Sequence, residues 1–175
     1  MKFTHRELNA KDPDGILFES LSPVVNGLGM SLLELSIFRS RGKGRHPGTV
    51  RIKAVVYKDG VIGVDDCSRI HQGIIPRLEL AFPGQDINLE VSSPGIDRLI
   101  KDGSEFAFYT GKSIKCYCTD ISDWRTGVLL AADEEKLVLR EESGETVLNY
   151  ETIAKARLNG AVQPLAQTAM ADKIK

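Results

Sequence analysis

Residues 89–99 read LEVSSPGIDRL, and the chain changes character across this stretch. Leu89 and Val91 alternate with polar neighbours, which is the period of a half-buried strand. Pro94 then fixes one backbone angle and Gly95 permits conformations closed to other residues, so the strand ends in a stiff turn. We therefore predict a domain boundary here, with an N-terminal α/β domain at 1–94 and a linker at 95–100.

Upstream of this boundary, the first periodic segment predicts a helix. Asp12 is suited to cap its start, Pro13 to occupy its first turn and Gly29 to end it. Pro23 lies inside the segment, so a kink or a break is expected there. The apolar residues at helical spacing are Leu17, Leu21, Val24 and Leu28.

Two strands and a second helix complete the predicted N-terminal domain. Alternating apolar residues at 33–37 and 50–56 predict strands, and the loop SRGKGRHPG at 40–48 joins them as a hairpin. A helical period follows from Val64 to Ala81, with Pro76 expected to disturb it. The resulting order, α-β-β-α-β, predicts a small sheet with both helices on one face.

Downstream of the boundary, the pattern changes to short strands separated by turns. A short helical segment at 105–109 is followed by strand candidates at 112–119, 125–132, 136–140, 145–150 and 154–158. Five strands at this spacing predict a small β-barrel over 101–160, so the whole chain is expected to be α+β. Residues 161–175 lack a hydrophobic period and are expected to form a flexible tail.

Composition excludes several classes of protein. The 175 residues are 42% hydrophobic and 27% charged, as in ordinary globular proteins. No apolar run is long enough to span a bilayer, and the first residues carry charges where a signal peptide needs an apolar stretch. We therefore expect a cytoplasmic protein without membrane contact, in which three cysteines form no disulfide framework.

The predicted hairpin carries the strongest local charge of the chain. Neutralising phosphates with Lys and Arg is the largest sequence-independent contribution to nucleic-acid binding, so the cluster is a candidate RNA contact. A solvated hairpin tip explains the same charges, and both interpretations stay open. The cations, which span fifteen residues without an acid, are Arg39, Arg41, Lys43, Arg45, Arg51 and Lys53.

The residues that could support catalysis or metal binding have simpler explanations. Ser92 and Ser93 lack the G-x-S-x-G setting of a nucleophile. Cys116 and Cys118 point to one face of a predicted strand, but zinc needs further ligands. Asp65 and Asp66 suit a helix start better than a magnesium site. We therefore expect neither an enzyme nor a cofactor, and no small-molecule substrate.

LEVSSPGIDRL closely resembles the signature of the bacterial ribosome maturation factor family RimP, where it ends the N-terminal domain and begins the linker. Three further segments resemble this family in the same order, namely SPVVNGLGMSLLELSI at 22–37, GVIGVDDCSRI at 60–70 and LNYETIAKARL at 148–158. Leu99 departs from the family, which usually has Pro after the Asp-Arg pair. The signature residues are Ser92, Ser93, Pro94, Gly95, Asp97 and Arg98.

The resemblance implies an α/β N-terminal domain, an Sm-like or SH3-like C-terminal barrel, and a monomer that matures the small (30S) ribosomal subunit by binding the immature particle. The expected partners are 16S rRNA, through the basic cluster, and a small-subunit ribosomal protein, through the barrel or the linker. The alternative is an Sm-like regulatory module that binds free RNA through the barrel. Eleven cations and twelve acids in residues 98–175, without a basic stripe, speak against it.

Overall fold

The computed structural model describes residues 13–40, 42 and 48–160. These residues belong to two compact units, which divide between Pro94 and Gly95. Helices and sheets are both present, so the predicted α+β class is confirmed. The tail predicted at 161–175 and the cap predicted at Asp12 lie outside the described residues.

The first unit has its elements in the predicted order. Its three-stranded sheet has the order β1-β2-β3. β1 and β2 are antiparallel, whereas β3 runs parallel to β2 because α2 carries the chain back across the sheet. The elements are α1 (Pro13–Gly27), β1 (Ser31–Ser40), β2 (Thr49–Tyr57), α2 (Val64–Ala81) and β3 (Asp86–Ser92).

One face of this sheet forms the core of the unit. Ile37, Ile52 and Leu89 lie side by side across the three strands. They join one apolar cluster with Leu21 of α1 and Ile74 of α2, which places both helices over the same face. The other face of the sheet presents the alternate residues of each strand.

The two prolines do not end their helices, so the break considered at Pro23 does not occur, whereas the kink expected there and the disturbance expected at Pro76 stay predictions. Each proline leaves the carbonyl four residues earlier, at Glu19 or Gln72, without its helical donor. Both prolines and both of these residues are exposed. Water can satisfy the freed carbonyls there, and tertiary packing of the apolar faces holds the helices.

Glycine is required where α1 ends and where α2 approaches it. Gly29 has φ +78°, a conformation that side chains disfavour, and so ends the helix as predicted. A Cβ at Gly73 would lie 3.1 Å from Leu28 Cδ1 and 3.5 Å from Val24 Cγ1. Gly73 therefore permits the close approach of the two helices.

The second unit is a six-stranded sheet in the order β4-β9-β5-β6-β7-β8, with every pair antiparallel. β4 and β8 are its edges and do not pair, so a closed barrel is not confirmed. The segment predicted as helical at 105–109 is a 3₁₀ helix, Gly103–Tyr109. The strands are β4 (Leu99–Ile100), β5 (Ser113–Cys118), β6 (Asp123–Ala132), β7 (Lys136–Glu141), β8 (Gly144–Asn149) and β9 (Ile153–Leu158).

Alternate residues of these strands bury one face of the second sheet. Ile114, Leu129 and Leu139 are fully buried. Phe106 from the 3₁₀ helix stacks on Tyr150 with ring centroids 5.4 Å apart. This packing gives the unit a core of its own.

Among the helices of the described ranges, none is long and apolar enough to cross a membrane.

Candidate nucleic-acid interface

The strands of the hairpin separate the basic cluster into two groups. Arg41, Lys43 and Arg45 lie outside the described residues. In the β1–β2 register, Arg39 lies opposite Val50, which belongs to the core face. The neighbouring Arg51 therefore projects from the opposite face, and Lys53, two residues further along, shares that face.

Arg39 is engaged with the helix side of its own unit. Its guanidinium hydrogen bonds to both carboxylate oxygens of Asp14 on α1. The same group lies over the ring of Phe82, 5.5 Å from the centroid. Arg39 therefore ties β1 to α1 and to the end of α2, and less of its charge is available to a ligand.

Arg51 and Lys53 are exposed on the open face of the sheet. Lys53 Nζ lies 3.1 Å from Glu90 Oε1, an exposed pair of the kind that contributes little free energy. Arg51 lies between Phe38 on β1 and Asn88 on β3. Among the described residues, the Arg51 side chain has no hydrogen-bonding or ion-pair partner.

Phe38 is a feature of this face that the charge pattern missed. Its side chain is 63% exposed, beside the guanidinium-bearing Arg51 on the neighbouring strand. An exposed aromatic ring next to cations is typical of surfaces on which RNA bases stack. The alternation of β1 contained the signal, because Phe38 has the parity of the polar Ser36.

The signature segment, in contrast, is built into the fold by Arg98. The Arg98 backbone N–H donates to the Gly95 carbonyl at 3.1 Å, which closes the predicted turn. Its guanidinium donates from Nε to Glu105 Oε2 at 2.9 Å and from Nη2 to Glu105 Oε1 at 3.2 Å. The exposed fractions of the two side chains are only 8% and 7%, so this bidentate pair is buried.

Two backbone carbonyls of the signature segment accept hydrogen bonds from the end of β9 and from the residues that follow it. Leu158 donates its N–H to the Arg98 carbonyl at 3.0 Å, and Gly160 donates to the Ile96 carbonyl at 3.0 Å. Leu99, which departs from the family pattern, lies in β4 and pairs with Arg157 of β9. Asp97 is exposed, and Ser92 ends β3.

Of the two aspartates considered for a metal, Asp66 caps the start of α2 and Asp65 lies in its first turn. The Asp66 carboxylate accepts the Gly63 N–H at 3.1 Å and lies 3.0 Å from Lys58 Nζ. These two hydrogen bonds lower the pKa of Asp66, and the one from Lys58 has the larger effect. The described residues hold no cluster of three His, Cys, Asp or Glu side chains that could bind a metal ion.

The paired cysteines face the core of the second unit. Cys116 and Cys118 are both fully buried on one face of β5, as predicted. Burial raises the pKa of the Cys116 thiol to about 12. Cys116 therefore stays protonated at neutral pH, and the thiolate is the form that ligates metals or attacks substrates.

Comparison with known proteins bears on the signature segment directly. A family model described as the RimP N-terminal domain matches residues 20–97, from the middle of α1 to the signature. Ribosome maturation factor RimP of Borrelia hermsii is 31% identical over 143 residues, which cover 82% of this chain and 94% of that protein. The chain belongs to the RimP family.

Other relatives extend the match over both units. RimP of Borrelia garinii subsp. bavariensis is 30% identical over 148 residues, 84% of this chain and 96% of its own length. RimP of Borrelia turicatae is 29% identical over 143 residues, with coverage of 82% and 94%. The resemblance inferred from the four sequence segments is thus confirmed.

Proposed function

We propose that this protein is a ribosome maturation factor that acts by binding the immature small (30S) ribosomal subunit, without catalysing a reaction. Membership of a family whose curated relatives are named ribosome maturation factors supports the first part. The site geometry supports binding, because the charged and aromatic residues lie on an open sheet face. The proposed location is the cytoplasm, and the proposed working form is a monomer.

The exposed Arg51 is the observation that carries the proposed contact with 16S rRNA. It is a cation without a partner in the described part of the chain, beside the exposed ring of Phe38. Lys53 lies on the same face, and the loop with Arg41, Lys43 and Arg45 joins the same two strands. A backbone phosphate would supply the missing anion.

The second unit is the proposed contact for a small-subunit ribosomal protein. We assign it an Sm-like barrel architecture, in which bulges bend the sheet. Register shifts between Leu129 and Ala131 and between Tyr117 and Cys118 support this assignment, because bulges increase local bending and twist. In this arrangement residues 1–94 and 101–160 are the two domains, and 95–100 the linker.

Co-sedimentation with two kinds of particle tests the proposal. Small subunits from a strain that lacks the factor are compared with mature small subunits at equal concentration. We expect preferential recovery with the immature particles. Equal recovery with both, or recovery with neither, would contradict it.

A matched pair of variants then tests the surface. Replacing Arg41, Lys43 and Arg45 by Ala should weaken recovery and flatten its dependence on salt. Removing three exposed cations elsewhere, at Arg69, Arg77 and Lys136, is the control with the same change in net charge. Equal effects of the two triple variants would show that overall charge, and not this surface, determines binding.

A further inference from the structure

The register of the second sheet gathers aromatic and basic residues that are scattered in the sequence. Tyr117 on β5 lies between Lys155 on β9 and Trp124 on β6. In the next row of the same face, Lys115 lies between Arg157 and Thr126. We call the surface formed by Lys115, Tyr117, Trp124, Lys155 and Arg157 the aromatic–basic face.

These side chains point away from the core of their unit. Cys116 and Ala156, which alternate with them on β5 and β9, are fully buried. The Tyr117 and Trp124 rings meet edge to face, with centroids 5.5 Å apart and planes at 69°. Trp124 stays 42% exposed, so part of its indole ring is open to a ligand.

Among the residues that the structure describes, the cations of this face have no acidic partners. Lys115 Nζ lies 5.9 Å from the centre of the Trp124 ring. Neither Lys155 nor Arg157 has an ion pair in the described part of the chain, and the buried Arg157 Nε has no hydrogen-bond acceptor there. The two rows that form the face contain no carboxylate.

We propose that the aromatic–basic face binds unpaired RNA nucleotides. A base would stack on the exposed part of Trp124, while Lys155 and Arg157 neutralise the flanking phosphates. Aromatic rings beside a positively charged surface suit single strands, because a base within a duplex offers no free face. The inference rests on the proposed function, since it gives immature rRNA a second contact.

Trp124 supplies the test, because it is the only tryptophan of the chain. The full-length protein is titrated with a single-stranded RNA oligomer of mixed sequence, and its intrinsic fluorescence is recorded. Stacking should produce saturable quenching, whereas a duplex of the same sequence should quench little. Absence of quenching by the single strand, or equal quenching by the duplex, would overturn the proposal.

Variants separate stacking from charge, with labelled RNA and fluorescence anisotropy as the readout. Trp124→Ala should weaken binding about tenfold, in keeping with the contribution of one stacked base. Trp124→Phe retains a ring and should stay within about threefold of the wild type. An equal loss in both variants, or no loss in either, would contradict stacking.

A charge variant remains informative if Trp124→Ala does not fold. Replacing Lys155 and Arg157 by Ala should lower the slope of log affinity against log salt by about 1.4, at about 0.7 for each phosphate contact to a single strand. Lys136→Ala combined with Arg140→Ala, both on β7 and outside the aromatic–basic face, is the control. An unchanged slope in the first double variant would overturn the charge part.

Three outcomes separate this inference from its alternatives and from the proposed function. An acidic peptide that quenches Trp124 as strongly as RNA would show a protein-binding face, and would overturn the proposal. If no RNA oligomer binds but the protein still co-sediments with immature subunits, the inference fails and the proposed function stands. If RNA binds but no particle is recovered, the proposed function fails instead.

Discussion

Arg98 and Arg51 show how one residue type serves two purposes in this chain. Arg98 is 8% exposed and makes two hydrogen bonds to Glu105. Arg51 is exposed on an open sheet face and has no acidic partner among the described residues. A buried guanidinium needs its carboxylate to offset desolvation, whereas an exposed one is free to meet a phosphate.

The comparison changes what the family signature implies. LEVSSPGIDRL identifies the family, yet its residue Arg98 binds Glu105 of the same protein rather than facing a ligand. The residues suited to a ligand lie elsewhere, on β2, in the hairpin loop and on the aromatic–basic face. We therefore expect variants of the signature to change stability first, and variants of the hairpin to change binding first.

The largest expected effect is that of Arg98→Ala. It leaves the Glu105 carboxylate buried without its partner and should lower the free energy of unfolding of the second unit by about 3–5 kcal/mol. Urea unfolding followed by Trp124 fluorescence measures this unit, since Trp124 belongs to β6. Arg140→Ala, which removes an exposed pair with Glu145, is the control and should cost at most about 1 kcal/mol.

A double variant distinguishes loss of the ion pair from loss of packing. Replacing Arg98 by Met and Glu105 by Leu removes both charges while retaining apolar volume. It should restore most of the stability that Arg98→Ala loses. If the double variant is as unstable as the single one, the buried charge is not the cause, and the contrast with Arg51 fails.

Alkaline pH should weaken the second unit through its buried neutral groups. Burial raises the pKa of Cys116 from 9.0 to about 12 and that of Tyr150 from 10.0 to about 12. Both groups are neutral when protonated. Each therefore contributes its full share to the free energy of unfolding at pH values below its pKa in the unfolded chain, which is lower than its pKa in the folded chain. This contribution is lost as pH rises from about 9 toward 12, because the unfolded state releases its protons first.

Urea unfolding at pH 8 and pH 10.5 checks this dependence. The free energy of unfolding should fall by up to roughly 1.4 kcal/mol per pH unit for each such group. Cys116→Ala removes one of them and should flatten the decline. A decline of unchanged slope in that variant would assign the pH dependence to other groups.

The smallest effect on stability is expected at Arg51 and Lys53. Replacing both by Ala should change the free energy of unfolding by no more than about 0.5 kcal/mol, because neither side chain is buried. The same variant should bind immature subunits several-fold more weakly. A loss of stability comparable to that of Arg98→Ala would remove the distinction between the two arginines.

The period of the apolar residues predicted both α-helices and eight of the nine strands in order, because the burial of these residues is set by local period. β4 escaped prediction, since the two residues Leu99–Ile100 are too short to show a period. The break considered at Pro23 did not occur, and α2 continues through Pro76, because a proline on an exposed helix face leaves a carbonyl that water can reach. Local rules cannot weigh that solvation against tertiary packing.

Identifying the candidate sites required the pairing of the strands more than the sequence of residues. The charge run gave the six cations, but only the β1–β2 register separates Arg39 from Arg51. The Arg98–Glu105 pair could not be predicted from the sequence, because it depends on how the chain runs from the signature into the 3₁₀ helix. Counting charges over 98–175 missed the aromatic–basic face, because its residues meet only when β9, which is distant in the sequence, pairs with β5 beside β6.

The dependence of binding on salt is the most direct test of phosphate contacts by the hairpin cations. The affinity for immature small subunits is measured at several salt concentrations for the wild type and for a variant with five hairpin cations, all except Arg39, changed to Ala. Each lost phosphate contact should reduce the slope of log affinity against log salt by about 0.7 to 0.9, so we predict a total reduction of at least about 2. An unchanged slope and affinity, in a variant as stable as the wild type, would contradict the contact between these cations and rRNA phosphates. The substitutions are Arg41→Ala, Lys43→Ala, Arg45→Ala, Arg51→Ala and Lys53→Ala.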